Sequence, residues 1–345
     1  MERFEHGGDA HRYPGALDFS ASLNPLGMPA SVIQALRDNV DHFSRYPDPA
    51  CRQLTEAIAR AEEVDASQVV CCAGATDAIA RICQVLRPHR ALLLSPCYSG
   101  YEQALEQLSC EVVYHDLSQG DGFLVDERLL EALDEKIDLV FLANPNNPTG
   151  RCVDQSLIRE LLSRAQDTDS WVVLDECFIE LANPCKRSNE LIGQAERLII
   201  VKALTKSHSL AGLRLGYALA SDTDLIQQLI RVGQPWAVSG PAQLAGVTSL
   251  TDTTDYLERA RALIASERAR LSASFETLGL RVVPSDTNYL LFSGPTGLFE
   301  PLAGRGVLVR RCDNFRGLGP QWYRVAVRMP EENDALLTAL GEVLE

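Results

Sequence analysis

The stretch "IIVKALTKSHSLAGLRLGY", residues 199–217, decides how this chain is read. It begins as an apolar, strand-like run, Leu198 to Val201, which ends in Ala203-Leu204-Thr205-Lys206. A loop then leads to Gly212-Leu213-Arg214-Leu215-Gly216. A lysine thus stands at the mouth of a buried strand, with an arginine eight residues on. Alone, a strand-end lysine is more often a snorkelling surface residue than a catalytic one. Its neighbours have to decide.

The rest of the chain narrows the field. At 345 residues with 46% apolar content it is long enough for a substantial core in one large domain or two modest ones. No run approaches the roughly 20 apolar residues of a membrane helix. The start, "MERFEHGGDAHRYPG", lacks a basic region followed by an apolar one, so no secretory signal is expected and the cytoplasm is the expected compartment. The ten cysteines are scattered, without C-x-x-C pairs at zinc-site spacing. They are expected to be reduced structural thiols, and no metal is expected. A net charge of −15 argues against a nucleic-acid partner, whose phosphates demand a basic surface. It also repels anionic substrates at long range, so any such substrate depends on locally placed arginines. Lysine is scarce: Lys136, Lys186, Lys202 and Lys206 stand against 28 arginines.

From about residue 30 to 205 helical and strand-like segments alternate. "ATDAIARICQVL" sets Ile79, Ile82, Cys83 and Leu86 at helical spacing. Around it lie short continuous apolar runs: "QVVCC", "ALLL", "CEVVYHD", "DLVFLAN", "WVVLDE" and "RLIIVKA". Helices are expected near 99–108, 126–134 and 154–165. Such runs between amphipathic helices predict an α/β fold with a mainly parallel sheet covered on both faces. Ligands of such sheets sit at the strands' carboxyl ends. The final hundred residues read as a smaller α+β unit, with a long helix near 255–278. The expected division is an amino-terminal segment 1–29 associated with a small domain 246–345, and a large domain 30–245.

Polar residues follow the strand ends. Gly74-Ala75-Thr76 follows "VVCC", Tyr98 follows "ALLLSPC", Asn147 lies in "NPNNPTG", Asp175 ends "WVVLD", and Lys206 follows the last run. A cofactor with an aldehyde, a phosphate and a pyridine ring would use all of them. Of the four lysines only Lys206 opens onto the crevice. Amides at the start of a helix after Gly74, with Arg214, would suit a phosphate, although Thr76 could equally be an ordinary cap. Asp175 would keep a ring nitrogen protonated, although a buried aspartate can also be a cap or one half of an ion pair. Tyr98 could stack on the ring or be core. Asn147 could bind a ring hydroxyl or belong to a plain turn.

"NPNNPTG", "VVLDECF", "LTKSHSLAGLRLGY" and "RYPDP" occur in the order in which the chain resembles the fold-type I pyridoxal-phosphate enzymes of the class I/II aminotransferase group. The likeness spans essentially the whole chain. It implies pyridoxal 5'-phosphate as cofactor, with Lys206 binding its aldehyde. Thr205 belongs with the cofactor-binding residues, and Arg214 with the phosphate. It also implies a homodimer in which Tyr46 of "RYPDP" reaches the partner's cofactor phosphate. Within the group, "HGGD…LDFSASLNPLGMP" and "VLVRRCDNFRGLGPQWYRVAVR" resemble the branch that decarboxylates phosphorylated amino acids, a close cousin of the histidinol-phosphate aminotransferases. That implies Arg324 on a substrate carboxylate, Arg310 and His6 on a substrate phosphate, and Ser22 at the substrate end. Three positions depart from the pattern: Cys72-Ala73 before Gly74, Ser22 in place of an asparagine, and Ala203 in place of a phosphate-binding serine.

Overall fold

A computed structural model describes residues 6–8, 10–183 and 185–345. The strands are β1 (Leu17–Asp18), β2 (Val69–Cys72), β3 (Arg90–Ser95), β4 (Glu111–Asp116), β5 (Leu139–Ala143), β6 (Trp171–Asp175), β7 (Leu198–Ala203), β8 (Gly216–Ala220), β9 (Arg281–Val282), β10 (Tyr289–Ser293), β11 (Val307–Leu308), β12 (Arg310–Arg311) and β13 (Trp322–Ala326). The α-helices are α1 (Ala30–Asp38), α2 (Arg52–Glu62), α3 (Ala75–Leu86), α4 (Ser99–Glu106), α5 (Arg128–Ala132), α6 (Gln155–Asp167), α7 (Leu204–Ser207), α8 (Thr223–Val232), α9 (Gly240–Thr251), α10 (Tyr256–Thr277), α11 (Phe299–Gly304) and α12 (Pro330–Leu344).

Seven strands form one sheet in the order β2-β8-β7-β6-β5-β3-β4. The pairs from β7 to β4 are parallel, whereas β8 runs antiparallel to both β2 and β7. Continuous apolar runs are what a sheet buried on both faces requires. Leu92 and Leu94 of β3 enter one core cluster while Ala91 and Leu93 enter the other; Ile200 and Ile199 of β7 divide in the same way. The covering helices follow the apolar spacing. In α6, Leu157, Ile158, Leu161, Leu162 and Ala165 are buried, and Asp154 caps the first turn by accepting from Ser156 N at 2.8 Å. Such a cap contributes about 1 kcal/mol.

The expected mainly parallel α/β sheet is therefore present, with one strand the periodicity did not supply. Segment 216–220, "GYALA", follows the Arg214 turn so closely that it reads as a loop continuation. It is buried throughout and closes the gap between β7 and β2. The helix expected near 126–134 is reduced to the five residues of α5.

A second sheet, β12-β13-β10-β9, is antiparallel. It packs through Leu290, Phe292 and Val325 on Leu271 and Phe275 of α10 and Leu336 and Leu340 of α12. The two-residue strand β1 pairs in parallel with β11, tying the amino-terminal segment to this region. Cys152 and Cys185 stand as a disulfide, with Cα atoms 5.7 Å apart. This corrects the expectation that all ten thiols are free, because folding brings together two loops 33 residues apart in sequence. Among the described residues no helix is long and apolar enough to cross a membrane.

A buried ionic cluster lies where β6 and β7 end. Lys202 is 3% exposed and places Nζ 2.8 Å from Glu62 and 2.9 Å from Glu180. Tyr217 donates to the same Glu62 at 2.6 Å. Glu176 lies beside them, accepting from Ser188 N at 2.9 Å while its Oε2 has no protein partner. Burial, opposed by Lys202, pushes the Glu176 carboxyl up to about 7 from an ordinary 4.5. The folded protein thus holds this proton more tightly than the unfolded chain does. The resulting stability is fully present below about pH 4.5 and is lost as pH rises through about 7. Glu176→Gln, which keeps an acceptor for Ser188, is expected to melt a few degrees above the wild type at pH 8. The gap should close toward pH 5. A melting difference that is independent of pH would show that Glu176 does not titrate in this window.

Candidate active site

The carboxyl ends of β2, β3, β5, β6 and β7 share one edge of the large sheet, and a cavity of about 220 Å³ opens there. Its lining includes Ala75, Thr76, Tyr98, Asn147, Asp175, Thr205, Lys206 and Arg214 from the large sheet's loops. Arg310 and Arg324 come from the smaller sheet, and His6 from the amino-terminal segment.

One end is built for an anion with phosphate geometry. The 12-residue helix α3 begins at the cavity, and Gly74 precedes it at φ +90°. A Cβ on Gly74 would stand 2.7 Å from a terminal nitrogen of Arg214, so only glycine lets that guanidinium settle against the helix start. Gly216 is equally constrained: a Cβ there would meet Ala75 N at 2.7 Å. Free helix-start amides and an arginine converge on one point, which fits the phosphate of pyridoxal phosphate. Thr205 lies beside them and is buried. Ala203 also lines the cavity, and brings no hydroxyl.

The middle of the cavity suits an aromatic ring. Tyr98 is half-buried at the start of α4 and lines the cavity with Thr76. Burial pushes its phenol up. Asp175 ends β6 in register between Ala143 and Val201. Its Oδ2 accepts from the Tyr101 hydroxyl at 2.6 Å and its Oδ1 from Cys177 N at 3.0 Å. Lys206, in the single turn of α7, places Nζ 5.6 Å from the centre of the Phe178 ring. Burial first, then the positive charge of Arg324, brings its amine down to about 8. That leaves a usable unprotonated fraction near neutral pH.

The far end carries a concentration of positive charge. Arg310 and Arg324 are partners in the antiparallel register of β12 and β13, and are only 5% and 7% exposed. Like charges directly opposed on neighbouring strands are destabilising unless an anion compensates them. Arg324 is held by Asn147 Oδ1 and by Ser20 O at 3.2 Å, lies 5.0 Å from the Tyr289 ring centre, and keeps a buried Nε without a protein partner. Arg310 donates to Asn314 Oδ1 at 2.8 Å and lies 5.3 Å from the Phe315 ring centre. His6 is 5.7 Å from Tyr98, ring centre to ring centre. Desolvation and then the charge of Arg310 lower its pKa.

Two sequence-predicted residues lie elsewhere. Ser22 is 1% exposed and does not line the cavity; Ser20 and Ala21 line it in its place. An irregular segment has no periodicity from which to tell these positions apart. Tyr46 is 81% exposed, its ring tilted 33° against that of Trp236 with centres 4.7 Å apart, and is not part of its own chain's cavity. Sequence reading missed Tyr101, Cys177, Phe178 and Phe315. The only signal for Tyr101 was its place one helical turn after Tyr98 in "YSGY".

Comparison with known proteins agrees with this geometry. Residues 14–340 match the family Aminotransferase class I and II. The threonine-phosphate decarboxylase of Salmonella typhimurium is 36% identical over 95% of this chain and 91% of its own. Histidinol-phosphate aminotransferase 1 of Archaeoglobus fulgidus is 34% identical over 94% of this chain and 98% of its own. Among solved structures, the histidinol-phosphate aminotransferase of Clostridium acetobutylicum superposes with a TM-score of 0.88 at 26% identity, covering 95% of this chain and 99% of that one. The chain belongs to the class I and II aminotransferase family and is an enzyme of the pyridoxal-phosphate-dependent, fold-type I kind.

Proposed function

We propose that the enzyme decarboxylates L-threonine O-3-phosphate to (R)-1-amino-2-propanol O-2-phosphate, a step of cobalamin biosynthesis. The observation that carries this reading is the register opposition of Arg310 and Arg324, both buried at one end of the cavity. A short substrate with a carboxylate at one end and a phosphate at the other compensates both guanidiniums at once. The decarboxylase relative is the more similar of the two curated relatives compared, which favours the same reading. The second reading is transamination of a phosphorylated substrate such as histidinol phosphate. It is favoured by the aminotransferase relatives in both comparisons.

Bound pyridoxal phosphate supplies an aldehyde that condenses with amines and a ring that accepts the electron pair released at Cα. Lys206 would hold the aldehyde. Ala75, Thr76, Thr205 and Arg214 would hold the phosphate, with Gly74 allowing their approach. Asp175 would accept a hydrogen bond from the protonated ring nitrogen, and Tyr98 would pack on the ring. Asn147 gives its Oδ1 to Arg324, which leaves Nδ2 to donate to the ring hydroxyl. On the substrate, Arg324 takes the carboxylate, while Arg310 and His6 take the phosphate. Anchored at both ends, the substrate cannot turn freely about N–Cα, so one bond is presented for cleavage. On this reading that bond is Cα–COO⁻. Carbon dioxide departs, and Lys206, displaced from the aldehyde by the substrate amine and carrying a proton as its ammonium, would deliver that proton to Cα. The same reading divides the chain into a large domain, residues 30–245, and a small one, residues 246–345, which residues 1–29 join.

Incubation with L-threonine O-3-phosphate is expected to release CO₂ in equal amount to aminopropanol phosphate, with no keto-acid acceptor required. Exchange of amino groups between histidinol phosphate and 2-oxoglutarate, without CO₂ release, would establish the aminotransferase reading instead.

Anchoring is tested by truncation. Breaking a buried charge pair costs roughly 3–5 kcal/mol, or about two to four decades in rate. Arg310→Ala should lose that much on threonine phosphate and little on the already poor unphosphorylated threonine. Arg324→Ala should abolish reaction with both. Equal losses on the two substrates in Arg310→Ala would remove Arg310 from the phosphate.

The assembly we propose is a homodimer, because the exposed Tyr46–Trp236 pair is an apolar surface lying apart from its own cavity. Mixed subunits bearing Lys206→Ala and Tyr46→Phe are expected to regain activity that neither variant has alone, since one site of each hybrid would be intact. A fully active monomer in sedimentation would exclude this arrangement.

A further inference from the structure

Asp175 already accepts two hydrogen bonds from donors within the protein. The Tyr101 hydroxyl donates to Oδ2 at 2.6 Å, and the Cys177 backbone N–H donates to Oδ1 at 3.0 Å. Tyr101 is fully buried and does not line the cavity, so it reaches no ligand directly. Its ring is fixed from two sides. It stacks on Phe141 of β5 with centres 4.7 Å apart and planes 9° apart, and it meets Tyr98 edge-on at 5.4 Å.

An ionised carboxylate offers about four lone-pair directions on two oxygens. With one donor fixed on each oxygen, the group cannot rotate about its own axis. What remains free faces the cavity. A donor on a carboxylate also favours its charged form and lowers its affinity for a proton. The 2.6 Å separation falls in the range of charge-assisted O–H···O⁻ bonds. The lone pairs left on Asp175 are therefore aimed at one fixed point, where a ring N–H would donate.

We propose that Tyr101, supported by the Cys177 backbone N–H, is a positioning residue that fixes the direction of the Asp175 carboxylate and keeps the cofactor's ring nitrogen protonated. It acts wholly through Asp175, and it rests on the placement of Asp175 at the ring nitrogen given above. Phenylalanine at 101 would keep the stack on Phe141 and delete only the donor. The ring nitrogen would then face a less directed carboxylate, and the electron sink would be shallower.

The test uses cofactor-free full-length protein and two ligands: pyridoxal phosphate, and an analogue in which C–H replaces the ring nitrogen. The wild type should bind pyridoxal phosphate more tightly than the analogue. Tyr101→Phe should reduce that preference about tenfold or more, the value of a hydrogen bond to a charged group, with the analogue's own affinity nearly unchanged. In an Asp175→Asn background the same substitution should not alter the preference, since its route is gone. The ring nitrogen of ¹⁵N-labelled cofactor should move from a pyridinium-like toward a pyridine-like chemical shift in Tyr101→Phe. Phe141→Leu, which loosens the stack that holds the Tyr101 ring, should produce a smaller change of the same sign and serves if Tyr101→Phe does not fold. Equal weakening of both ligands, or an unchanged preference and nitrogen shift, overturns the inference and leaves the site assignment standing. A wild type that does not distinguish the two ligands overturns the placement of Asp175 and the inference with it.

Discussion

Parallel alignment of β3, β5, β6 and β7 is the constraint on which the site depends. Parallel neighbours bring all their carboxyl ends to one edge, and the loops leaving that edge carry Tyr98, Asn147, Asp175 and Lys206. Registration does the fine placement. Asp175 is paired with Ala143 on one side and Val201 on the other, so the loop bearing Asn147 and the turn bearing Lys206 start from fixed positions beside it. The antiparallel β8 begins where β2 and β7 end, and delivers Arg214 to the start of α3. A sheet buried on both faces cannot slip by one residue without turning its core outward. The rigidity of the core becomes the precision of the site.

Electrostatics shapes what that geometry can hold. The chain carries a net charge of −15, yet its cavity gathers Lys206, Arg214, Arg310 and Arg324. In a partly desolvated cavity each cation acts on the others far more strongly than in water. That is why the amine of Lys206 is depressed, with burial as the larger cause and Arg324 as the next. The cationic interior and acidic exterior divide the work between local capture and overall solubility. Behind the cavity the opposite arrangement prevails: Lys202 is enclosed by Glu62 and Glu180 and holds the backs of the same strands. Lys202 and Lys206, four residues apart, thus have opposite fates: one is locked in charge pairs, the other is pressed toward neutrality.

Much of this was legible in the sequence, for a physical reason. Strands buried on both faces must be continuous apolar runs, so their ends are visible, and a polar residue at such an end stands out. Asp175, Asn147 and Lys206 were found in this way, and the cavity brings them together. Arg310 and Arg324 were named through the resemblance alone, and their pairing across two strands was not visible in spacing. Nothing in "VLVRR" and "WYRVAV" says that Arg310 will face Arg324, because the intervening loop hides the pairing. Ser20 and Ser22 could not be told apart in a segment without regular period. Tyr101 reads as core, and most of it is; only its hydroxyl reaches Asp175. The bond between Cys152 and Cys185 depends on two loops whose proximity exists only in the fold.

The hydrogen bond from Arg324 to Ser20 O joins residues 304 positions apart. With His6 and Arg324 both in the cavity lining, the binding surface draws on almost the whole length of the chain. Contacts this distant in sequence pay their loop-closure entropy before they return any stability, and they form late. A partly folded chain can own the large sheet and still lack a place for the second anion. Ligand capture therefore marks the end of folding, and a ligand that binds only the finished chain draws the population toward it by mass action.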